Sequence, residues 1–209
     1  MNQNKLLGAL FAVLACSVAP VHAGPIEVTM GKAVTASGTV GQLSPAGVAF
    51  PWCPDATCPT AALSSITDGV YLAEGEAWQN GTVWWDEGLA ASADNLLQIE
   101  LGGRFLVDFV SIQADNNDRY GISYRNAMGE WTGWAFADVG GGPGMRTRAG
   151  GLPPVEATAF RIDAFDGDGY YAVSEFRVTG SAVPEPSSLA LVGVALLGLC
   201  IRRRSGAGY

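Results

Sequence analysis

Residues 96–113 read LLQIELGGRFLVDFVSIQ, and their periodicity decides the fold class. Leu97, Ile99 and Leu101 are separated by the polar Gln98 and Glu100, the two-residue repeat of a half-buried strand. Gly102-Gly103 interrupts it as a turn. From Phe105 to Gln113 the chain is mostly apolar, as a strand buried inside a sandwich is. The period of two continues in Ile122 and Tyr124, in Trp134 and Phe136, and in Phe160, Ile162 and Ala164. Turn clusters stand between these runs at Asp115 to Asp118, Gly140 to Gly144, Gly150-Gly151 and Asp166 to Gly169. From about Lys32 to Gly180 there is no helical period and no internal repeat. Many short strands with frequent turns predict an antiparallel all-β sandwich or barrel.

Composition agrees with one globular domain. Of 209 residues 48% are hydrophobic and only 15% charged, which excludes a charge-driven disordered chain. The 28 glycines and 11 prolines fit a chain that turns often.

Both ends carry processing signals. Residues 1–23 read as a signal peptide: Lys5, an apolar run from Leu6 to Ala15, and Val21-His22-Ala23 as a small-x-small cleavage site for signal peptidase. Lipoprotein processing at Cys16 is the rival, weakened by the bulky Leu14. At the other end, residues 182–209 form a sorting segment. Val183-Pro184-Glu185-Pro186 is followed by a hydrophobic helix over 187–201 and by Arg202-Arg203-Arg204. Alone the run is short for a span of roughly 17–25 residues, but counting from Pro186 and letting the arginines snorkel brings it into range. A transient insertion in the inner membrane would leave the domain outside.

Residues 183–204 resemble the PEP-CTERM sorting signal, with its Pro-Glu-Pro motif, hydrophobic stretch and basic cluster in that order. The resemblance implies recognition at Pro184, Glu185 and Pro186 by an exosortase-type enzyme and removal of the tail. It also implies a cell-surface or extracellular-matrix protein of bacteria that make exopolysaccharide and form biofilm. Ser205 to Tyr209 trail beyond the arginines, where many members stop sooner.

Export changes the charge balance. Leaving out Lys5, Glu185 and Arg202 to Arg204, 19 acidic and 8 basic side chains remain, a net of about −11. That balance argues against nucleic acid and anionic membranes as partners of the domain, since both demand a basic face. Cys16 and Cys200 lie in the removable ends. Cys53 and Cys58 are left in the domain, and their spacing reads as a disulfide in an oxidising compartment. A zinc site would need two more ligands, and the chain's one histidine, His22, is in the signal.

The order of landmarks over residues 24–181 resembles the discoidin family, the coagulation factor five/eight type C domain, a galactose-binding-like jelly roll. It runs through Gly31 to Ser37, Ile66-Thr67-Asp68-Gly69, Trp84-Trp85, Ile99 to Gly103, Val107 to Gln113, Ala157 to Ile162 and Val173 to Val178. One departure is that many such domains join their two ends by a disulfide, whereas Cys53 and Cys58 sit close together. The resemblance implies a structural calcium held by Asp68 and Glu175 with loop carbonyls, chemically reasonable for an ion that takes six to eight oxygens. On the residues alone, Asp68 caps a turn and Glu175 is a solvated strand residue. Asp166-Gly167-Asp168-Gly169 suggests a second metal loop, but a tight hairpin turn explains the same residues.

A sugar site needs exposed rings for pyranose faces and polar groups for hydroxyls. Trp52, Trp78, Trp131 and Trp134 fall in or near predicted loops, while Trp84 and Trp85 look strand-bound. The loop Asp115-Asn116-Asn117-Asp118-Arg119-Tyr120 is the most polar. The candidate ligand set is therefore Trp78, Asn116, Asn117, Arg119 and Trp131. Catalysis finds little support: no Gly-x-Ser-x-Gly elbow is present, and no mature histidine or free thiol is expected. The expectation is a non-enzymatic discoidin-like jelly roll that binds carbohydrate, with exopolysaccharide as partner. A structural matrix or adhesion protein is the alternative, and a glycan-active enzyme the remote one.

Overall fold

The computed structural model describes residues 24–38, 40, 60–86, 95–140 and 142–184; all but Pro184 fall in one compact unit, Ala23–Val183. The strands are β1 Ile26–Glu27, β2 Val34–Ala36, β3 Val83–Asp86, β4 Leu96–Asp115, β5 Arg119–Arg125, β6 Trp131–Ala137, β7 Met145–Phe165 and β8 Tyr170–Ala182. A 3-10 turn spans Leu63–Thr67. Every pairing is antiparallel. Among the described residues there is no α-helix and no helix long and apolar enough to cross a membrane. The all-β antiparallel class read from the periodicity is the one found. The signal segment, Trp52, Cys53, Cys58 and the residues from Glu185 onward, Pro186 and Arg202 to Arg204 included, lie outside the described residues.

Two long strands build both layers. The first part of β4, Leu96–Glu100, pairs with β2 and with the end of β7, whose other neighbour is β5 and then β6. The later part of β4, Phe105–Ala114, pairs instead with β8 and with the start of β7, and β8 carries β1 and β3. The layers face each other: Phe160 of β7 meets Phe176 of β8 at 5.7 Å between centroids. Leu97, Ile99, Leu101, Ile122, Ile162 and Val173 close the core at 2% exposure or less. Each such side chain contributes about 1.5–3 kcal/mol on burial.

Gly102-Gly103 and Gly150-Gly151 are not the chain reversals expected of them. Both lie inside strands, and the β4–β7 register shifts between Glu100 and Phe105 where Gly102 takes φ 73°. A bulge with a left-handed glycine bends a strand without reversing it. The pattern of side chains marks the interruption but not the direction in which the chain leaves it.

Outside the second layer, residues 69–74 form a strap across three strands. Gln113 of β4 stands opposite both Glu175 of β8 and Thr147 of β7, so these side chains make one transverse row. Each takes a piece of the strap: Glu175 accepts from Gly69 N and Val70 N, Gln113 pairs with Leu72, and Thr147 donates through Oγ1 to the Glu74 carboxylate. Tyr71 adds a hydroxyl bond to Ser111 at 2.8 Å. A chain with no strand neighbour thus has its backbone groups satisfied by side chains.

Candidate functional site

The polar loop after β4 is folded inward. Asp115, Asn116 and Asp118 are each exposed by 2% or less, and only Asn117 faces solvent. Asp115 Oδ1 accepts Asn116 N at 2.8 Å. The Asn116 carboxamide accepts Gly140 N at 2.9 Å and donates to the Gly142 carbonyl, tying the loop to the 138–144 connection. Arg148 reaches the Asp115 carbonyl at 3.0 Å, Asn116 Oδ1 at 3.4 Å and the Asp138 carbonyl at 3.4 Å. Asn116 is therefore a structural clip.

Asp118 carries an electrostatic burden. Its Oδ1 accepts Asp168 N at 3.3 Å, while its Oδ2 is buried with no hydrogen-bond partner. Burial first, and then the charges of Asp115 and Asp168, push its carboxyl up to about 7. Asp115 rises to about 6, mainly by burial. Gly167, at φ 76°, lies against the Asp118 carboxylate, where a Cβ would collide with it. The Asp166–Gly169 segment is thus the turn between β7 and β8, with glycine required by both backbone and neighbour.

Beside this loop, β6 and the start of β7 are edges that do not pair with each other. Between them opens a groove of about 300 Å³ with Val110, Ile112 and Ile122 among its apolar lining residues and Phe136, Asp138 and Arg148 among the rest. Phe136 is 68% exposed and meets Phe165 edge-on at 6.0 Å. Arg119 bridges the rim, with Nε 2.8 Å from Asp138 Oδ1 and Nη1 3.1 Å from Asp166 Oδ2. These pairs are exposed, so each contributes at most about 1 kcal/mol. Volumes of ligand sites begin near 300 Å³, so the groove stands at the lower end of that range. Its lining includes one carboxylate, Asp138, where glycoside hydrolysis uses two.

The five residues read as one ligand set are not brought together. Asn116 and Arg119 border the groove and Asn117 lies on the same loop. Trp78 stacks on Tyr170 at 5.8 Å and meets Trp84 edge-on at 5.6 Å, in a separate cluster with Met145, Ala172 and Leu72. Trp131 sits opposite Arg125, while the other end of that hairpin joins Tyr120 to Ala137. Six residues of strand put them about 20 Å apart. Its ring is covered by Arg161 at 4.0 Å and approached by Arg125 at 5.6 Å. The groove is lined instead by Phe136, whose period marks it as a strand residue, and by Asp138 and Arg148, which no sequence pattern singles out. Trp134 and Phe136 share a period, but a bulge between Ile122 and Ser123 turns Trp134 onto Phe160 and Phe136 outward.

Asp68 and Glu175 do lie close, yet their surroundings do not fit calcium. Glu175 is fully buried; its Oε2 accepts Gly69 N and Val70 N at 3.2 Å each, and its Oε1 accepts Arg177 Nε at 3.2 Å. Burial pushes this carboxyl up to about 7, against the pull of the Arg177 guanidinium. Asp68 Oδ1 accepts Val70 N at 2.8 Å, an Asx turn within its own loop. Among the described residues no three His, Cys, Asp or Glu side chains converge as a metal set.

Comparison with known proteins separates the tail from the domain. Residues 182–204 match the PEP-CTERM protein-sorting motif. No curated protein matches the sequence. Among solved structures, the family 32 carbohydrate-binding module of C. perfringens NanJ, in complex with galactose, is 19% identical with a TM-score of 0.49. That match covers 74% of this chain and 98% of the module. Chitosan-binding module 1 from a chitosanase/glucanase of Paenibacillus sp. IK-5 is 20% identical with a TM-score of 0.47, covering 73% of this chain and 98% of the module. SpGH29 is 15% identical with a TM-score of 0.45; the match covers 77% of this chain, which spans only 28% of that protein. The chain thus carries a PEP-CTERM sorting segment at residues 182–204, and the all-β antiparallel domain before it is similar to family 32 carbohydrate-binding modules.

Proposed function

We propose that this protein is exported and displayed at the cell surface or in the extracellular matrix, where the groove between β6 and β7 binds carbohydrate without turning it over. The observation that carries this is the placing of Phe136, exposed and edge-supported by Phe165, beside Asp138 and Arg148 over an apolar floor. A ring face packs on Phe136 while the carboxylate and guanidinium read hydroxyls. Asp138 is the one carboxylate among the described lining residues, which favours binding over hydrolysis. The sorting motif supports the location: signal peptidase cuts after Ala23, an exosortase-type enzyme processes the tail, and exopolysaccharide is the ligand within reach.

A single shallow groove implies a dissociation constant on the order of 0.1–1 mM, or about 4–5.5 kcal/mol. Titration of the protein with saccharides, the producer's own exopolysaccharide among them, tests this by NMR. Amide shifts at Phe136, Asp138 and Arg148 should saturate. If no saccharide moves them at about tens of millimolar, the carbohydrate reading fails, and a structural role in the matrix takes its place.

A further inference from the structure

The calcium expected between Asp68 and Glu175 has a rival already in position. Arg177 follows Glu175 by two residues on β8, so the two side chains leave the same face of the strand. Its guanidinium is shared among four groups. Nε lies 3.2 Å from Glu175 Oε1 and 3.4 Å from Glu27 Oε1 of β1. Nη2 donates to the Gly69 carbonyl, and the planar head lies 4.2 Å from the centre of the Tyr71 ring. Charge, hydrogen bonding and stacking all use the fork geometry that distinguishes arginine from lysine.

This arrangement takes what a metal would need. Calcium requires a shell of six to eight oxygens. The Glu175 carboxylate and the Gly69 carbonyl are both bound by the guanidinium. The loop presents to Glu175 two N–H groups, whose positive ends a cation avoids. Asp68 is turned to its own backbone. A divalent ion among these groups would also stand beside a fixed positive charge with little water between them to screen it.

We propose that Arg177 is the resident cation of this loop: its guanidinium holds the 69–74 strap onto β8 in the place of a metal, and Asp68 and Glu175 take no calcium. One side chain then joins β1, the strap and β8 through Glu27, Gly69 and Glu175. The strap needs no ion to stay closed, because its counter-charge is encoded in the chain.

Amide hydrogen exchange at Gly69 and Val70, in the whole protein with calcium and with chelator, tests the proposal. Wild type should give the same protection in both. Arg177→Gln should speed exchange at these amides by about tenfold or more, with a smaller effect from Arg177→Lys, which keeps the charge but not the fork. Calcium-dependent protection in wild type that Glu175→Gln removes would overturn the proposal, as would unchanged protection in Arg177→Gln. Should Arg177→Gln fail to fold, the wild-type comparison and Arg177→Lys decide. Protection by calcium in either speaks for a metal, and indifference to calcium with weakened protection in the lysine variant speaks for the guanidinium.

Discussion

The side-chain amide of Gln113 pairs with the backbone of Leu72 in both directions. Leu72 N donates to Oε1 at 2.7 Å, and Nε2 donates to the Leu72 carbonyl at 3.0 Å. Gln113 is fully buried in β4 and acts as a short extra strand edge on which residues 69–74 dock. Ser174 Oγ also donates to its Oε1 at 2.7 Å, so the amide cannot flip without losing partners.

Replacing Gln113 by leucine keeps the bulk and removes every one of these bonds. The Leu72 amide and carbonyl are then left without partners, at a cost of about 1–3 kcal/mol each. A total loss near 3 kcal/mol is expected in urea unfolding, with an unchanged denaturant slope. A loss below about 0.5 kcal/mol would mean that the strap does not depend on the row of side chains beneath it.

Tyr120 joins the two layers. Its hydroxyl donates to the Ala172 carbonyl at 3.1 Å and accepts Ala172 N at 3.0 Å, just where the pairing of β4 with β8 has ended at Val173. Tyr120→Phe keeps the ring and orphans both groups of a buried residue. Stability should fall by about 2–4 kcal/mol. Thermal unfolding of the two proteins side by side measures it.

Asp118 links stability to pH. Its folded-state carboxyl lies at about 7 against an ordinary 3.8, so the folded chain holds the proton more tightly than the unfolded one. The contribution is fully present below about pH 3.8 and is lost as pH rises through about 7. Asp118→Asn keeps an acceptor for Asp168 N and removes the buried charge. The variant should melt higher than wild type at pH 8, with the gap closing toward pH 4. A gap that does not change with pH would show that Asp118 is not titrating in this range.

Phe136→Ala tests the groove. Because the side chain is 68% exposed, its loss should change stability by less than about 0.5 kcal/mol. Affinity for the best saccharide should nevertheless fall at least about tenfold, the equivalent of about 1.4 kcal/mol. Trp131→Ala, at the far end of the same strand, should leave binding unchanged. Isothermal titration of both variants distinguishes the groove from the end of the hairpin.

Much of this protein was legible along the chain, because strand periodicity and processing signals are local properties. The alternation at Leu97, Ile99 and Leu101, the run to Gln113 and the turn at Asp166–Gly169 needed only neighbouring residues to be read. The tripartite tail at 183–204 is equally local. What the tertiary structure alone decided is which residues meet. Gly102-Gly103 bends β4 instead of reversing it, because a left-handed glycine permits either. The hairpin register puts Trp131 about 20 Å from the Asn116 loop, and a bulge separates Trp134 from Phe136, which share a period, so that Phe136 is exposed. Gln113, Glu175 and Thr147 are far apart in sequence and form one row only because three strands are laid side by side. Arg177 meets Glu27, Gly69, Tyr71 and Glu175 for the same reason: charge acts through space, and the chain order does not record that distance.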